Sequence, residues 1–109
     1  MFEVNRLIQA GGDVNEQTQY GSTTLHAASE NGHVEVVKIL IQAGGNVNTQ
    51  RSSDGWTPLH WASSRGHVEV ITALLAAGAD KTVKDRGGNT PHDVARRSKL
   101  SNRDCMDAL

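Results

Sequence analysis

The sequence predicts an all-α solenoid in which short helix–turn–helix units stack and are joined by β-hairpin-like loops. Three observations support this fold class: a repeat of about 33 residues, helix start and stop signals that recur with it, and a largely aliphatic set of apolar residues. Hydrophobic residues make up 37% of the 109 residues and aromatic residues only 4%. That supply suits a core built in slices along a stack better than one globular core.

The repeat is visible when segments of the chain are compared directly. The segment G-S-T-T-L-H-A-A-S from Gly21 recurs as G-W-T-P-L-H-W-A-S from Gly55, a shift of 34 residues, and the G-W-T-P segment recurs as G-N-T-P from Gly88, a shift of 33. The period is therefore 33 residues, with one extra residue between Asn48 and Gly55. Such a period is the signature of repeat architectures.

Each unit is predicted to contain a short first helix and a longer second helix. Thr57 is a suitable N-cap, Pro58 fits the first helical position, and Gly66 can end the first helix in a left-handed conformation. One face of this helix should be buried, namely Leu59, Ala62 and Ser63, and the opposite face should carry Trp61, Ser64 and Arg65.

The second helices are predicted from their apolar stripes and the glycines that follow them. The stripe of the later unit is Val68, Ile71, Leu74 and Leu75, and the helix should end at Gly78. The earlier unit repeats this arrangement with Val34, Val37, Leu40 and Ile41, ending at Gly44. Helices of this length are not stable alone, so stacking must stabilise them.

The stretch T-P-L-H-W-A-S-S-R-G-H-V-E-V at Thr57–Val70, followed by L-L-A-A-G-A-D at Leu74–Asp80, resembles the ankyrin repeat. The resemblance covers nearly the whole chain. It implies that partners dock on the concave side, which the hairpin tips and first helices form. It also implies a single domain composed of a half repeat (1–17), two full repeats (18–50 and 51–84) and a C-terminal capping repeat (85–109).

The two ends of the predicted stack differ. Residues 2–11 align with a second helix whose first helix is missing, so we expect a piece of a longer ankyrin-repeat protein; the alternative is a reduced natural cap. In the last unit His92 replaces the leucine of the T-P-L-H motif and Asp93 replaces its histidine, which resembles a terminal repeat. Ser101 indicates the start of a final short helix, from which Leu109 is expected to pack back on the stack.

Composition argues against several classes of function. Residues 1–80 hold four Lys/Arg and eight Asp/Glu, a net charge of −4, and residues 81–109 hold seven and four, a net charge of +3. With a total of −1, no global field attracts nucleic acid or anionic membrane. The sequence shows neither a signal peptide nor a membrane span, and its one cysteine, Cys105, allows no intrachain disulfide. We expect a cytoplasmic or nuclear monomer without cofactors that inserts into no membrane.

Five histidines raise the possibility of a metal or catalytic site. In the ankyrin family the histidine of the T-P-L-H motif bonds to its own threonine and to neighbouring backbone, which is implied for His26 and His60. His33 and His67 also fall on framework positions. Equivalent positions in successive repeats should lie about 8–10 Å apart, whereas zinc ligands lie about 2.0–2.1 Å from one ion. Cys105 has no histidine outside the repeat framework nearby. We therefore predict no metal, no catalytic residue and no enzyme.

The family resemblance supplies the candidate partner-binding residues. They lie at hairpin tips and on the exposed side of first helices: Tyr20, Glu30, Asn31, Trp56, Trp61, Ser64, Arg65 and Arg97. Tryptophan and tyrosine often anchor interfaces, and arginine contacts carboxylates or aromatic rings. Trp61 is either an anchor for a partner or a shield for the stack, and the sequence leaves both interpretations open.

Two smaller features concern the hairpins. The extra residue falls within the polar segment 49–54, which is either a specificity element or a tolerated insertion, and we expect the second. Asn15 and Asn48 end the motifs G-G-D-V-N and G-G-N-V-N. Ankyrin repeats can be hydroxylated at such asparagines, but we expect a hairpin-stabilising role for them here.

The sequence therefore predicts a non-catalytic protein–protein interaction module, a scaffold or adaptor, whose partner docks on the concave face. One alternative is a small steric inhibitor or regulator of an enzyme such as a kinase. Another is a structural spacer between other domains. Ankyrin surfaces bind unrelated proteins, so the fold does not name the partner.

Overall fold

Five helices in two layers form the framework of the described part of the chain. The computed structural model describes residues 15, 17–19, 21–98 and 107–109. Its helices are α1 (Thr24–Asn31), α2 (Val34–Gln42), α3 (Pro58–Arg65), α4 (Val68–Ala76) and α5 (Pro91–Arg97). The first helices α1, α3 and α5 pack side by side, and the second helices α2 and α4 pack against each other and against α1 and α3 respectively. Over these residues no strand is present, and the predicted all-α class is confirmed.

Each first helix begins with the same reciprocal pair of hydrogen bonds. In α3 the Thr57 hydroxyl accepts a bond from the His60 backbone N–H (3.3 Å), and the His60 Nδ1 accepts one from the Thr57 N–H (3.1 Å). Helix α1 has the same capping box with His26, whereas the Asp93 carboxylate takes the place of the imidazole in α5. The box satisfies two N–H groups that a helix start leaves unpaired, so the predicted role of Thr57 is confirmed.

The same histidines join consecutive units. Nε2 of His26 lies 2.9 Å from the carbonyl oxygen of Trp56, and Nε2 of His60 lies 2.9 Å from that of Asn89. Because Nδ1 accepts a hydrogen bond from a threonine N–H, the ring proton is on Nε2, and a neutral imidazole donates it to the next hairpin. The roles that the family resemblance implied for His26 and His60 are therefore confirmed.

Glycine is required at the turn between the two helices of a unit. Gly32 has a φ of +72°, in the left-handed region, and its N–H bonds to the Ala28 carbonyl. A Cβ atom at Gly32 would lie 2.7 Å from the imidazole of His67, whose Nε2 is 3.0 Å from the Glu30 carbonyl oxygen. The turn combines a positive φ with a close approach by the next unit, and His67 has the framework position predicted for it.

The first helices bury the face that the sequence predicts. Leu59, Ala62 and Ser63 of α3 are buried, while Trp61 is half-buried and Arg65 is exposed on the opposite side. The core that these residues join is aliphatic and lies between the two layers.

The second helices bury a different apolar stripe from the one that the sequence predicts. In α4 the buried residues are Val70, Ile71 and Leu74, whereas Val68 and Leu75 are only half-buried at the edges of the stripe. At about 100° per residue, positions 70, 71 and 74 share one narrow arc, and positions 68 and 75 lie beyond it. Helix α2 shows the same shift, with Val36, Val37 and Leu40 buried and Val34 and Ile41 half-buried.

Asn15 and Asn48 link one unit to the next. The Asn48 amide nitrogen donates to the Gly78 carbonyl (3.4 Å), and its amide oxygen accepts the Asp80 N–H (2.7 Å). Asn15 makes the equivalent pair of bonds with the following unit, at 3.1 and 2.7 Å. Both asparagines therefore have the structural role expected of them, although it acts between units rather than within one hairpin.

Some expectations concern residues outside the described ranges. They are Cys105, the helix start at Ser101 and nearly all of the half repeat predicted for residues 1–17. Leu109 is described, is half-buried and packs against the core, as expected.

One buried hydroxyl group of the framework allows a prediction about stability. The Ser29 hydroxyl is buried in α1 and has no hydrogen-bond partner among the described residues. We expect Ser29→Ala to raise the free energy of unfolding by about 1 kcal/mol, because it removes an unpaired buried hydroxyl and favours the helix. Urea unfolding followed by circular dichroism measures this change. The exposed Ser53→Ala is the control, expected within about 0.5 kcal/mol of the parent chain, and a destabilised Ser29→Ala would contradict the prediction.

The buried histidines predict how stability depends on pH. Burial lowers the pKa of both His26 and His60, although the carbonyls that accept from their rings act in the opposite direction. The unfolded chain therefore takes up protons first, at about pH 6.5. We expect the free energy of unfolding to be greatest above that pH and to fall on acidification towards the folded-state pKa, by at most about 1.4 kcal/mol per pH unit for each histidine.

Urea unfolding at a series of pH values between about 7 and 5 measures this slope. His60→Asp copies the residue that Asp93 places at the start of α5, and it should reduce the slope by removing one of the two buried imidazoles. His92→Gln, at an exposed position, should leave the slope as it is. An equal slope in His60→Asp and the parent chain would contradict the assignment.

Candidate functional site

The hairpin before α3 carries the extra residue, and hydrogen bonds locate it at the tip. In the hairpin before α5, the Asp85 N–H bonds to the Asn89 carbonyl, four residues later (2.9 Å). The corresponding bond before α3 runs from the Arg51 N–H to the Trp56 carbonyl, five residues later (2.8 Å). The tip is therefore one residue longer, and the hairpin on either side of it keeps the same pattern.

An ion pair closes this longer tip. The Arg51 guanidinium donates two hydrogen bonds to the Asp54 carboxylate, from Nε at 3.2 Å and from Nη2. The same carboxylate accepts the Trp56 N–H at 3.0 Å. Burial by itself raises the pKa of Asp54, but these hydrogen bonds outweigh it and hold the pKa below its usual value. The bond to Asp54 raises the pKa of Arg51, so both groups are charged at neutral pH.

Two indoles and two guanidinium groups meet on the exposed side of α3. We call these residues, Arg51, Trp56, Trp61 and Arg65, the tryptophan cluster. The two indole rings meet edge to face, with centroids 4.7 Å apart and planes at 67°. The guanidinium carbon of Arg51 lies 4.7 Å from the Trp61 ring centroid and that of Arg65 lies 5.9 Å away, within cation–π range. Both indoles are half-buried and lie outside the aliphatic core.

The two indoles differ in whether the ring N–H donates to an acceptor among the described residues. Trp56 Nε1–H donates to the Asp85 carboxylate of the next hairpin (2.9 Å). Asp85 also accepts the N–H groups of Gly87 and Asn89, at 2.8 and 2.9 Å. Burial raises the pKa of Asp85, but these donors outweigh it and lower the pKa. Trp61 Nε1–H, in contrast, donates to no residue within the described ranges.

Other predicted site residues surround the cluster. The Arg65 guanidinium donates to the Glu30 carboxylate of the preceding unit at 3.2 Å, and both side chains are partly exposed. Ser64 and Arg97 line a shallow cavity of about 290 Å³ next to Trp56. These residues lie along one face, formed by the hairpins and first helices.

One predicted residue, Asn31, is not part of this arrangement. The Asn31 side chain donates to the Ala27 carbonyl at the end of its own helix (2.9 Å) and remains exposed. Tyr20 lies outside the described residues. The contact of the cluster that sequence analysis missed is Arg51, because its position over Trp61 depends on how the hairpin folds against α3.

A family model described as ankyrin repeats in three copies matches residues 3–85. The chain belongs to the ankyrin-repeat family. The resemblance drawn from the T-P-L-H motif is therefore confirmed. Ankyrin repeats generally mediate protein–protein interaction and form a non-catalytic module.

The relatives that share this ankyrin-repeat sequence are different kinds of protein. The chain is 52% identical over 75 residues to human protein phosphatase 1 regulatory subunit 12A, which covers 69% of this chain and 7% of that protein. It is 36% identical over 53 residues to potassium channel AKT1 of Oryza sativa subsp. indica, covering 49% of this chain and 6% of the channel. Inversin of Danio rerio is 47% identical over 36 residues, covering 33% of this chain and 4% of inversin. The chain thus spans less than a tenth of the length of each relative.

Within the described ranges, no group of three or more His, Cys, Asp or Glu is arranged to hold a metal ion. The helices of this part of the ankyrin domain have seven to nine residues, and none has the length and apolar character that crossing a bilayer requires.

The stacking of Arg51 on Trp61 can be tested by substitution. Arg51→Ala removes the guanidinium next to the indole and leaves Asp54 without its partner. We expect the free energy of unfolding to fall by about 1 kcal/mol, and acrylamide to quench tryptophan fluorescence more strongly. Arg86→Ala, at an exposed position of the following hairpin, should cause neither change. Quenching that is identical in Arg51→Ala and the parent chain would show that Arg51 does not cover the indole.

Proposed function

We propose that this chain is a non-catalytic interaction module that binds another protein through the face that carries the tryptophan cluster. The observation that supports this most is Trp61, a half-buried indole at the surface whose N–H has no partner among the described residues. Tryptophan and arginine are enriched among residues that contribute most to binding energy. We place the module in the cytoplasm or nucleus, where a single cysteine such as Cys105 stays reduced.

Preorganisation supports the same proposal. The Trp61 ring is held by the edge of Trp56 at 4.7 Å and by Arg51 at 4.7 Å. Trp56 is in turn held by its bond to Asp85. Ordering a mobile side chain costs roughly 0.5–1.5 kcal/mol on binding, and a side chain that is already held avoids much of that cost. The proposed docking surface is therefore the concave face of the ankyrin stack, centred on Trp61.

A second candidate function is regulation of an enzyme whose surface the module covers. One comparison favours it: the human relative that is 52% identical over 75 residues is a regulatory subunit of protein phosphatase 1. Protein phosphatase 1 is then the first enzyme to test. Binding of the chain that leaves the turnover of the enzyme unchanged would exclude this function and retain the simple interaction module.

Substitution of Trp61 tests the proposed face directly. A partner is first captured from lysate with the unaltered chain and then titrated by calorimetry. We expect Trp61→Ala to weaken binding by about 2 kcal/mol or more, roughly 30-fold or more. Thr72→Ala, at an exposed position of α4, is the matched control and should bind as the parent does.

The melting temperature of each variant separates the two interpretations of Trp61. A lower melting temperature with unchanged affinity would identify the indole as a shield of the stack and would contradict the proposal. Capture of no partner would favour a structural spacer instead.

A further inference from the structure

We infer that the partner presents an acidic peptide segment, and that Arg97 and the cavity next to it bind a carboxylate of that segment. This inference rests on the proposed function, because it names the chemistry of the partner at the same face. It depends on which hydrogen-bonding groups of that face the chain already uses for itself.

Arg97 differs from three nearby arginines in making no ion pair, and the Asp93 carboxylate attracts its charge only at longer range. Arg51 pairs with Asp54, and Arg65 lies 3.2 Å from the Glu30 carboxylate. Arg96, the neighbour of Arg97 on α5, lies 3.6 Å from the Asp93 carboxylate. Arg97 is exposed and makes no hydrogen bond or ion pair with any residue that the structure describes. Its planar guanidinium therefore retains five N–H donors in the geometry that suits a carboxylate.

The cavity next to Arg97 offers apolar surface beside these donors. Its volume is about 290 Å³, and it is lined by Trp56, Ser64, Asp85, Asn89, Val94, Arg97 and Ser98. The Trp56 ring and the Val94 side chain supply the apolar part of the wall. A short aliphatic side chain of a peptide can fill such a cavity while a neighbouring carboxylate reaches the guanidinium.

The carboxylate of Asp85 in the same wall does not favour a cationic ligand. Its Oδ2 accepts the Trp56 Nε1–H at 2.9 Å, and its Oδ1 accepts the N–H groups of Gly87 and Asn89 at 2.8 and 2.9 Å. Three N–H donors of the chain therefore already bind this carboxylate and partly offset its charge, while Oδ2 keeps one acceptor position. Arg97, in contrast, brings a full positive charge and N–H donors that no hydrogen bond or ion pair of the described residues uses, so a ligand that supplies acceptors fits best.

The side chains near the cavity that make no ion pair are positively charged, as Arg97 is. Lys84 and Arg86, on the hairpin that precedes α5, are exposed and make no ion pair within the described part of the chain. With Arg97 they form the positive end of the face, whereas Arg51 and Arg65 are neutralised by their own carboxylates. A positive surface attracts a segment that carries several acidic residues and raises its association rate.

The test uses a random linear peptide library displayed on phage and selected against the whole chain. We expect selected sequences to be enriched in Asp or Glu next to an aliphatic residue. A synthetic peptide with the consensus of that selection should bind at least about tenfold more weakly to Arg97→Gln, the loss of one charge-assisted hydrogen bond. Arg96→Gln is the matched control and should bind within about twofold of the parent, because Arg96 is already paired with Asp93.

A second peptide identifies the group that Arg97 binds. Replacing the acidic residue of the consensus peptide by its amide should cost the parent chain about tenfold in affinity and should cost Arg97→Gln little more, because the two changes remove one interaction. Affinity that also falls with added salt is expected for this contact.

The outcomes separate this inference from the proposed function. Selected peptides without acidic enrichment, an absence of selected peptides, or equal binding to Arg97→Gln and the parent chain would each overturn the acidic specificity. If non-acidic peptides still lose affinity for Trp61→Ala, the binding face stands and only its acidic specificity is refuted. Peptides that bind regardless of both substitutions would refute the face as well.

Discussion

A buried, neutral imidazole that closes one helix and bonds to the next unit is the contact on which the stack depends. Helices of eight or nine residues are not stable alone in water, so each unit must be held by its neighbours. His26 and His60 provide that connection from fully buried positions. Each ring accepts at Nδ1 from its own threonine and donates from Nε2 to the carbonyl of Trp56 or Asn89. Because the ring is rigid, the two bonds set where the next hairpin lies relative to the helix.

This framework contact also positions the candidate site. The Trp56 carbonyl accepts both the His26 ring and the Arg51 N–H, so the backbone is fixed where the first indole begins. Asp85 then fixes the indole N–H, and Trp61 packs against a ring that is already held. The aliphatic core includes neither indole, so both rings remain at the surface. The hydrogen bonds that join consecutive units therefore also position the site.

The ion pairs along the face also depend on the repeating units. The guanidinium groups nearest the indoles are neutralised by carboxylates of their own hairpin or of the preceding unit. In the last described helix Asp93 serves as the capping acceptor and lies beside Arg96. A carboxylate has no N–H with which to continue the histidine pattern to a further hairpin. Arg97 makes no ion pair among the described residues and interacts with Asp93 only at longer range, so the charge of the face is uneven along the stack.

The repeat, the helix starts and ends, and the buried face of the first helices can all be predicted from the amino-acid sequence. These features depend on local periodicity and on the chemistry of caps, which neighbouring residues in the chain carry. The sequence also identifies the indoles as surface residues. The three-dimensional fold shows that Arg51 lies over Trp61, that Arg65 is neutralised by Glu30 35 positions earlier, and that Arg97 makes no ion pair within the described chain. Folding and stacking bring residues together that are far apart in the sequence, and stacking also determines which arc of each second helix is buried. A local sequence pattern therefore cannot predict these contacts or that arc.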